Sequence, residues 1–337
     1  MTQNEIRQNK ITHQWVIYAP DRGDRPKEFK SDVGNRRDLP IYDDDCPFCP
    51  GNEHMLPDII AEKDGPDGWR VRVVPNKYPV LKPVADTERR PQGIYLSMSG
   101  YGRHEVIIED QWHNRDLPDM SVDAVARIIG VYHQRYIDLM RAHGNMMCLI
   151  FRNHGPRAGT SLLHPHSQLV VTGIVPHYVR WREEQAQRYY DEWGRSVFAD
   201  ILTFELQDRR RVILENESFV SFVPFAAEVP FEVWIMPKRQ QADFGSISDA
   251  EMGDLAVVLW DVLVRLRDRL GDPDYNYIVN SAARYKAGEP HLCWYFQIRP
   301  RLTTRAGFEI GSGISVNPSI PEEDAGFLKG EGGVGSG

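Results

Sequence analysis

His164-Pro165-His166-Ser167-Gln168 places two imidazoles and an amide at alternate positions. The residues that follow, Leu169-Val170-Val171, read as a strand. Alternate side chains of a strand share a face, so His164, His166 and Gln168 point the same way. Upstream lies a polar loop, Asn153-His154-Gly155-Pro156-Arg157-Ala158-Gly159-Thr160-Ser161. Its glycines permit close approach of backbone to a ligand, and its amides, Arg157 and Ser161 can cradle phosphate oxygens. A polar cluster of this kind would be costly to bury idle. That cost sets it apart from an exposed strand carrying incidental histidines.

A second pattern is Asp45-Cys46-Pro47-Phe48-Cys49-Pro50-Gly51. C-x-x-C is half of a metal site and needs two further ligands. Histidines are the available donors, because Cys148 and Cys293 stand alone far along the chain. A redox dithiol and a pair of inert thiols are the other readings. The run Asp43-Asp44-Asp45 weighs against the redox dithiol. Neighbouring carboxylates disfavour the thiolate that redox attack needs, whereas a bound dication reverses that preference.

These groups must be positioned by a fold, and the 337 residues are enough for one large or two smaller domains. Hydrophobic residues at 41% and charged residues at 26% allow a sizeable core and exclude global disorder. The net charge of −8, with no long basic tract, excludes a non-specific nucleic-acid binder. A phosphate ligand must therefore be held by local groups. No apolar run approaches the roughly 20 residues of a membrane span. The opening segment has no apolar signal core, so a cytoplasmic protein without a membrane partner is expected.

One offset recurs: Glu105-Val106-Ile107-Ile108 returns 127 positions on as Glu232-Val233-Trp234-Ile235. At the same offset Asp116 matches Asp243, Ser121 Ser248, Gly144 Gly271, Asn153 Asn280 and His164 His291. Such order indicates duplication into two paired units. Each copy reads as a strand, a helix capped by Ser121 or Ser248, and two more strands. The second cap has Glu251 three residues on, as in a capping box. The first helix carries apolar residues at Val122, Val125, Ile128, Ile129, Tyr132 and Tyr136 and is expected to end near Gly144. The predicted strands are Val106 to Ile108, Met147 to Arg152 and Leu169 to Thr172, then Val233 to Ile235, Tyr277 to Asn280 and Trp294 to Ile298. This is an α+β class. Where copy one has His113, His164 and His166, copy two has Gln240, His291 and Cys293, which predicts an active half and a supporting half.

The sequence resembles the galactose-1-phosphate uridylyltransferase family of the histidine-triad superfamily over nearly its whole length. The resemblance is carried by Trp15-Val16-Ile17-Tyr18-Ala19-Pro20 with Arg25-Pro26, the C-P-F-C-P-G segment, and Val74-Pro75-Asn76-Lys77-Tyr78-Pro79. It continues through Gly102 with His104-Glu105-Val106-Ile107, the loop from Asn153 to Ser161, and H-P-H-S-Q. The resemblance implies two tandem histidine-triad-like halves of antiparallel sheet with flanking helices. The expected boundaries are 1–177 for the catalytic half, 178–204 for a helical connector, 205–330 for the degenerate half and 331–337 for a flexible tail.

The resemblance also implies roles. His166 becomes the nucleophile that forms a nucleotidyl-imidazole intermediate, with ping-pong kinetics. Gln168 and Ser161 stabilise charge on the phosphoryl oxygens. Asn76 and Lys77 contact the nucleotide, Asn153, Gly159 and Arg157 the phosphates, and Glu309 the hexose. Cys46, Cys49, His113 and His164 hold one structural zinc ion. A second metal is expected to be absent, because Tyr295 and Gln297 replace a histidine pair that some members carry. A homodimer is expected. The donor is a nucleotide sugar or nucleotide diphosphate, and the acceptor a phosphorylated sugar or phosphate. The first expectation is uridylyl exchange between UDP-glucose and a hexose 1-phosphate. The tail Gly307-Phe308-Glu309-Ile310-Gly311-Ser312-Gly313 also fits an adenylyl branch, ADP-glucose phosphorylase or adenylylsulfate:phosphate adenylyltransferase. A dinucleoside polyphosphate phosphorylase and a non-catalytic nucleotide-binding zinc protein are further readings.

Overall fold

The computed structural model describes residues 4–22, 39–65, 68–83 and 87–331. Arg25, Pro26 and all of the expected tail beyond Glu331 lie outside the described residues.

The N-terminal part supplies strands β1 (Glu5–Gln8), β2 (Trp15–Tyr18), β3 (Ala61–Gly65), β4 (Gly68–Pro75), β5 (Arg90–Gln92) and β6 (Tyr95–Ser97). The first repeat copy follows as β7 (Gly102–Ile108), helix α1 (Val122–Met140), β8 (Met147–His154) and β9 (His166–Thr172). Two helices, α2 (His177–Trp193) and α3 (Val197–Asp208), lead to β10 (Val212–Glu215) and β11 (Phe219–Phe222). The second copy is β12 (Val233–Pro237), α4 (Asp249–Leu270), β13 (Tyr275–Asn280) and β14 (Tyr295–Pro300). The chain closes with α5 (Gly307–Ser312), β15 (Ser315–Asn317) and α6 (Pro321–Lys329).

The helices begin where the sequence places their caps. The Ser121 side chain accepts from the Ala124 amide, and Ser248 with Glu251 forms a complete capping box. Helix α4 ends at Gly271 in the left-handed conformation that glycine adopts without strain. Helix α1 stops at Met140, before the expected Gly144. Gly144 serves packing instead: a Cβ there would press on the Tyr101 ring at 2.8–2.9 Å.

The two copies do not build a sheet each. They share one ten-stranded sheet in the order β10-β11-β12-β14-β13-β8-β9-β7-β4-β3, and every pairing in it is antiparallel. The order is a palindrome about the β13–β8 junction, with β7, β9 and β8 mirrored by β12, β14 and β13. The register agrees. Phe151 of β8 pairs with Ile278 of β13, its own counterpart at the repeat offset. A local two-fold therefore passes through that pair, as expected for duplicated units joined edge to edge.

Helices α1 and α4 cover one face of the sheet. Val125, Ile128, Ile129 and Tyr132 of α1 join Leu255, Leu259, Val262 and Leu266 of α4 over Ile107, Ile150, Leu169 and Val279 in one core cluster. Of the apolar positions read on α1, Val122 is half-buried at the edge and the others are buried. Burying a side chain of this size stabilises the fold by about 1.5–3 kcal/mol. On the opposite face the halves differ. In copy two, Arg182 of α2 donates to Asn280 (2.5 Å) and to the Ser281 carbonyl (3.4 Å), and its guanidinium stacks over Tyr295 (5.7 Å). Asn280 and Tyr295 are the counterparts of Asn153 and Gln168. A helix thus occupies the surface that copy one leaves as a cleft.

Ser248→Ala removes the cap of the long core helix. It is expected to cost about 1 kcal/mol, read as a lower urea midpoint at unchanged slope.

Candidate active site and metal centre

Strand β9 begins at His166, which lies opposite Ile108 at the end of β7. The strand is therefore shorter than the H-x-H-x-Q pattern, and His164 sits just before it. The loop between β8 and β9 turns through Gly155 (φ 87°) and Gly159 (φ 90°), conformations that favour glycine. Phe48 of the C-x-x-C turn lies edge-on to both imidazoles, 5.9 Å from His164 and 5.3 Å from His166. His164 and His166 thus face the same element, although only His166 lies within the strand.

The His166 ring is 7% exposed. Its Nδ1 lies 2.8 Å from the backbone carbonyl of His164. A carbonyl oxygen only accepts, so the proton sits on Nδ1 and the lone pair on Nε2. Burial pushes the ring down to about 4, opposed in part by this hydrogen bond, so the imidazole is neutral near pH 7. His166 lines two adjoining clefts. One, of about 470 Å³, is lined by Phe48, Leu56, Asn76, Lys77, Ser161 and Gln168 among others. The other is bordered by Asp116, Arg152, Asn153 and His154. A ligand spanning both clefts passes over His166.

The second cleft rests on buried charge that the sequence reading missed. Arg152 donates through Nε to Glu109 (2.9 Å) and also pairs with Asp116. Asp116 reaches His154 Nδ1 at 2.7 Å, and His154 Nε2 lies 3.1 Å from Asp272. Both His154 nitrogens face carboxylates, which favour the protonated ring, while the Arg152 guanidinium 3.2 Å from Nδ1 opposes it. Burial alone would lower its pKa, but Asp116 and Asp272 raise it above the ordinary value. Burial would raise the Asp116 carboxyl, and Arg152 with His154 overcomes that and holds it well below the carboxylate range. Glu109 also accepts from Tyr132, whose hydroxyl meets Ser167 and Tyr277 at 2.7 and 2.5 Å. The signal in the sequence was a lone arginine in an apolar strand, since a buried arginine needs partners.

The four residues expected to hold a metal converge. The ligand atoms of Cys46, Cys49, His113 and His164 all lie within 4.8 Å of one another and are buried. Cys49 Sγ stands 3.6 Å from His113 Nδ1 and 3.7 Å from His164 Nδ1. A tetrahedral ion with bonds of ~2.3 Å to sulfur and ~2.05 Å to nitrogen requires an S···N edge of ~3.6 Å. His164 Nε2 donates to the Asp110 carbonyl at 2.8 Å, and His113 Nε2 has the Asp43 carboxylate nearby at 4.0 Å. Both Nδ1 atoms face Cys49 Sγ, where an ion would sit. Asn52 donates to the carbonyls of Asp43, Asp44 and Cys46, which ties the turn together. Burial pushes the Cys46 thiol up to about 12 and raises Cys49, with Asp43 and Asp44 adding to the latter. That environment opposes redox attack, and Cys49 Sγ faces two imidazoles that a dication would share with it.

The other expected site residues divide. Asn76, Lys77, Ser161 and Gln168 line the His166 cleft. Asn153 borders the neighbouring one, and a Cβ on Gly159 would lie 4.0 Å from its amide. Arg157 contributes its backbone amide to Asp274 (2.6 Å) while its side chain is exposed and lines neither cleft. Glu309 accepts from the amide of Ala306, the cap of its own helix (3.0 Å), and also lines neither cleft. Gln297, at one of the two positions expected to lack a metal-binding histidine, is hydrogen-bonded to Asn280 (3.2 Å) and Glu232 (2.8 Å). No helix among the described residues is long and apolar enough to cross a membrane.

A buried imidazole that presents one bare nitrogen where two polar clefts meet is the equipment of a nucleotidyltransferase. The galactose-1-phosphate uridyl transferase N-terminal domain model matches residues 1–176, and the C-terminal domain model matches residues 182–306. The chain belongs to this family of nucleotidyltransferases. It is 33% identical to ADP-glucose phosphorylase of Arabidopsis thaliana, over 96% of this chain and 92% of that one. It is 26% identical to galactose-1-phosphate uridylyltransferase of Thermotoga maritima, over 96% and 98%. The crystal structure of the Arabidopsis thaliana ADP-glucose phosphorylase with bound ADP-glucose superposes with a TM-score of 0.84 and 30% identity, covering 99% and 100% of the two chains. A uridylyltransferase structure superposes with a TM-score of 0.75 and 25% identity, covering 97% and 98%.

Two outcomes are expected. Cys49→Ser should lower bound metal and melting temperature together; unchanged metal content would refute the ligand set. His154 has a raised folded-state pKa, so its stabilisation is complete below the ordinary value of 6.5 and fades as pH rises through the folded value. His154→Gln should therefore cost more stability at about pH 6 than at about pH 9, measured by denaturant titration.

Proposed function

We propose that this protein transfers a nucleotidyl group through a covalent adduct on His166. The observation that carries the reading is the His166 ring itself, buried and neutral, with its proton tied to the His164 carbonyl and Nε2 bare. Nε2 attacks the α-phosphorus of a nucleoside diphosphate compound. A P–N bond forms, the bond to the bridging oxygen breaks, and that oxygen leaves with the electron pair. An acceptor phosphate oxygen then attacks the same phosphorus and releases the imidazole. The Nδ1–H bond to the carbonyl steadies the positive charge on the ring while the adduct exists. Gln168 and Ser161 supply donors to the phosphoryl oxygens, Asn76 and Lys77 serve the nucleotide, and Asn153 and Gly159 face the departing phosphate.

The donor nucleotide in this reading is adenylyl, with phosphate as acceptor, as in ADP-glucose phosphorylase. Support comes from the 33% identity and the TM-score of 0.84 to that Arabidopsis thaliana enzyme. The second reading is uridylyl exchange with a hexose 1-phosphate, supported by the Thermotoga maritima relative along 96% of this chain. The metal is zinc, favoured by two thiolates and two imidazoles. Its role is structural: it ties the C-x-x-C turn and His113 to His164 and so aims His166. Residues 1–177 are the active half and 205–330 the supporting half, joined by 178–204. The working form is a cytoplasmic homodimer, in which Glu309 and Arg157 serve a sugar phosphate shared with the second subunit.

Intact-protein mass spectrometry after incubation with ADP-glucose or UDP-glucose tests this directly. An added AMP is expected, and His166→Asn should lose it while keeping its circular dichroism. An added UMP alone would select the second reading. No adduct with either donor would refute both.

A further inference from the structure

A primary amide is ambivalent: its oxygen accepts and its nitrogen donates. Gln168 can help a phosphoryl group only if its nitrogen faces the cleft. Turned over, it would set a lone pair against negative oxygens. Its orientation is therefore a chemical requirement, and the structure contains the group that meets it.

Gln168 Oε1 lies 2.8 Å from His104 Nε2. The register places Val106 opposite Gln168 and His104 opposite Val170, so His104 and Gln168 are diagonal neighbours on one face of β7 and β9. The direction of the bond depends on which ring nitrogen of His104 carries the proton. The backbone N–H of Val80 points at His104 Nδ1 from 3.3 Å. A backbone N–H only donates, so Nδ1 accepts. The ring is 8% exposed, and burial favours its neutral form. A neutral ring that accepts on Nδ1 carries its proton on Nε2. His104 therefore donates to Gln168 Oε1. Asn76 is oriented by the same logic, because its Oδ1 accepts from the Tyr78 amide at 2.8 Å. Its Nδ2 lies 3.5 Å from Gln168 Oε1 and 3.2 Å from His104 Nε2. Two donors thus converge on one oxygen, and neither donates to the other. The Asn76 amide also donates to the His104 carbonyl at 2.8 Å, which fixes the segment carrying Asn76 to β7. Gln168 Nε2 makes no hydrogen bond among the described residues and belongs to a residue lining the His166 cleft.

We propose that His104 is a positioning residue: its Nε2–H holds the Gln168 oxygen and so presents the Gln168 amide protons to the phosphoryl group transferred by His166. The inference rests on the covalent reading of His166 and extends it to a residue that touches no substrate.

His104→Phe keeps a buried ring and removes the donor. In single-turnover labelling, the rate of adduct formation at saturating donor is expected to fall about 10-fold or more, with the donor concentration at half-saturation changed by less than about 3-fold. His104→Gln, which retains an N–H donor, should recover most of the rate. In a Gln168→Ala background His104→Phe should cost little further, since the amide it orients is gone. Equal losses in both backgrounds would overturn the proposal, and so would a His104→Gln variant as slow as His104→Phe. Nitrogen-15 spectra of histidine-labelled wild-type protein give an answer that needs no variant. A His104 ring protonated on Nε2 is expected, and one protonated on Nδ1 would overturn the proposal. Absence of any adduct on the wild type defeats the covalent reading, whereas normal labelling of His104→Phe defeats only this inference.

Discussion

One residue joins the group of two cysteines and two histidines to the His166 ring. The His164 ring turns Nδ1 toward Cys49, gives its Nε2 proton to the Asp110 carbonyl, and offers its own carbonyl to His166 Nδ1. The last bond fixes the tautomer of His166 and with it the location of the lone pair. Displacing the His164 backbone would free the His166 ring to rotate and would release its proton from Nδ1. The C-x-x-C turn, the Asn52 brace and the His113 segment all act at this point, because they hold His164 where its carbonyl can accept.

The duplicated sheet explains why such a rigid point exists. Two equivalent units meet at Phe151 and Ile278, and the combined sheet is anchored on one face by α1 and α4. The strand ends that carry His166 and Asn153 therefore project from the middle of a broad, doubly supported surface. Their positions do not depend on a mobile edge. The copy without the histidine pattern has its surface occupied by α2 through Arg182, Asn280 and Tyr295. One half carries the His164 and His166 pattern, and the other makes the strands beside that pattern internal to the sheet.

The buried ion network at Arg152, Glu109, Asp116, His154 and Asp272 has a different role from the cysteine and histidine group. Its charges are paired within the protein, with every long-range partner drawn from a separate segment. Removing one member leaves another charge buried without a partner, a loss that generally exceeds the stabilisation supplied by the intact pair. The network therefore fixes the relation between β8, the segment after β7 and the turn after α4. That relation shapes the cleft beside His166.

The residues themselves determined the chemistry and most of the local order. The cysteine and histidine types, the alternation of His166 with Gln168, the serine caps and the repeat offset are local or periodic properties, and short-range sterics and hydrogen bonding enforce them. The strand and helix assignments held for the same reason, and the expected end of α1 near Gly144 moved to Met140, because packing against Tyr101, a distant residue, set the use of that glycine. The edge-to-edge union of the two copies was not legible, because strand pairing between units depends on which edges are left open after each unit folds. The partners of Arg152, the tautomers of His104 and His166, and the distance of Arg157 and Glu309 from the cleft were hidden too. Each depends on the directions of groups far apart in the chain, and only the folded backbone brings a given carbonyl, amide or carboxylate within hydrogen-bonding range of a given ring nitrogen.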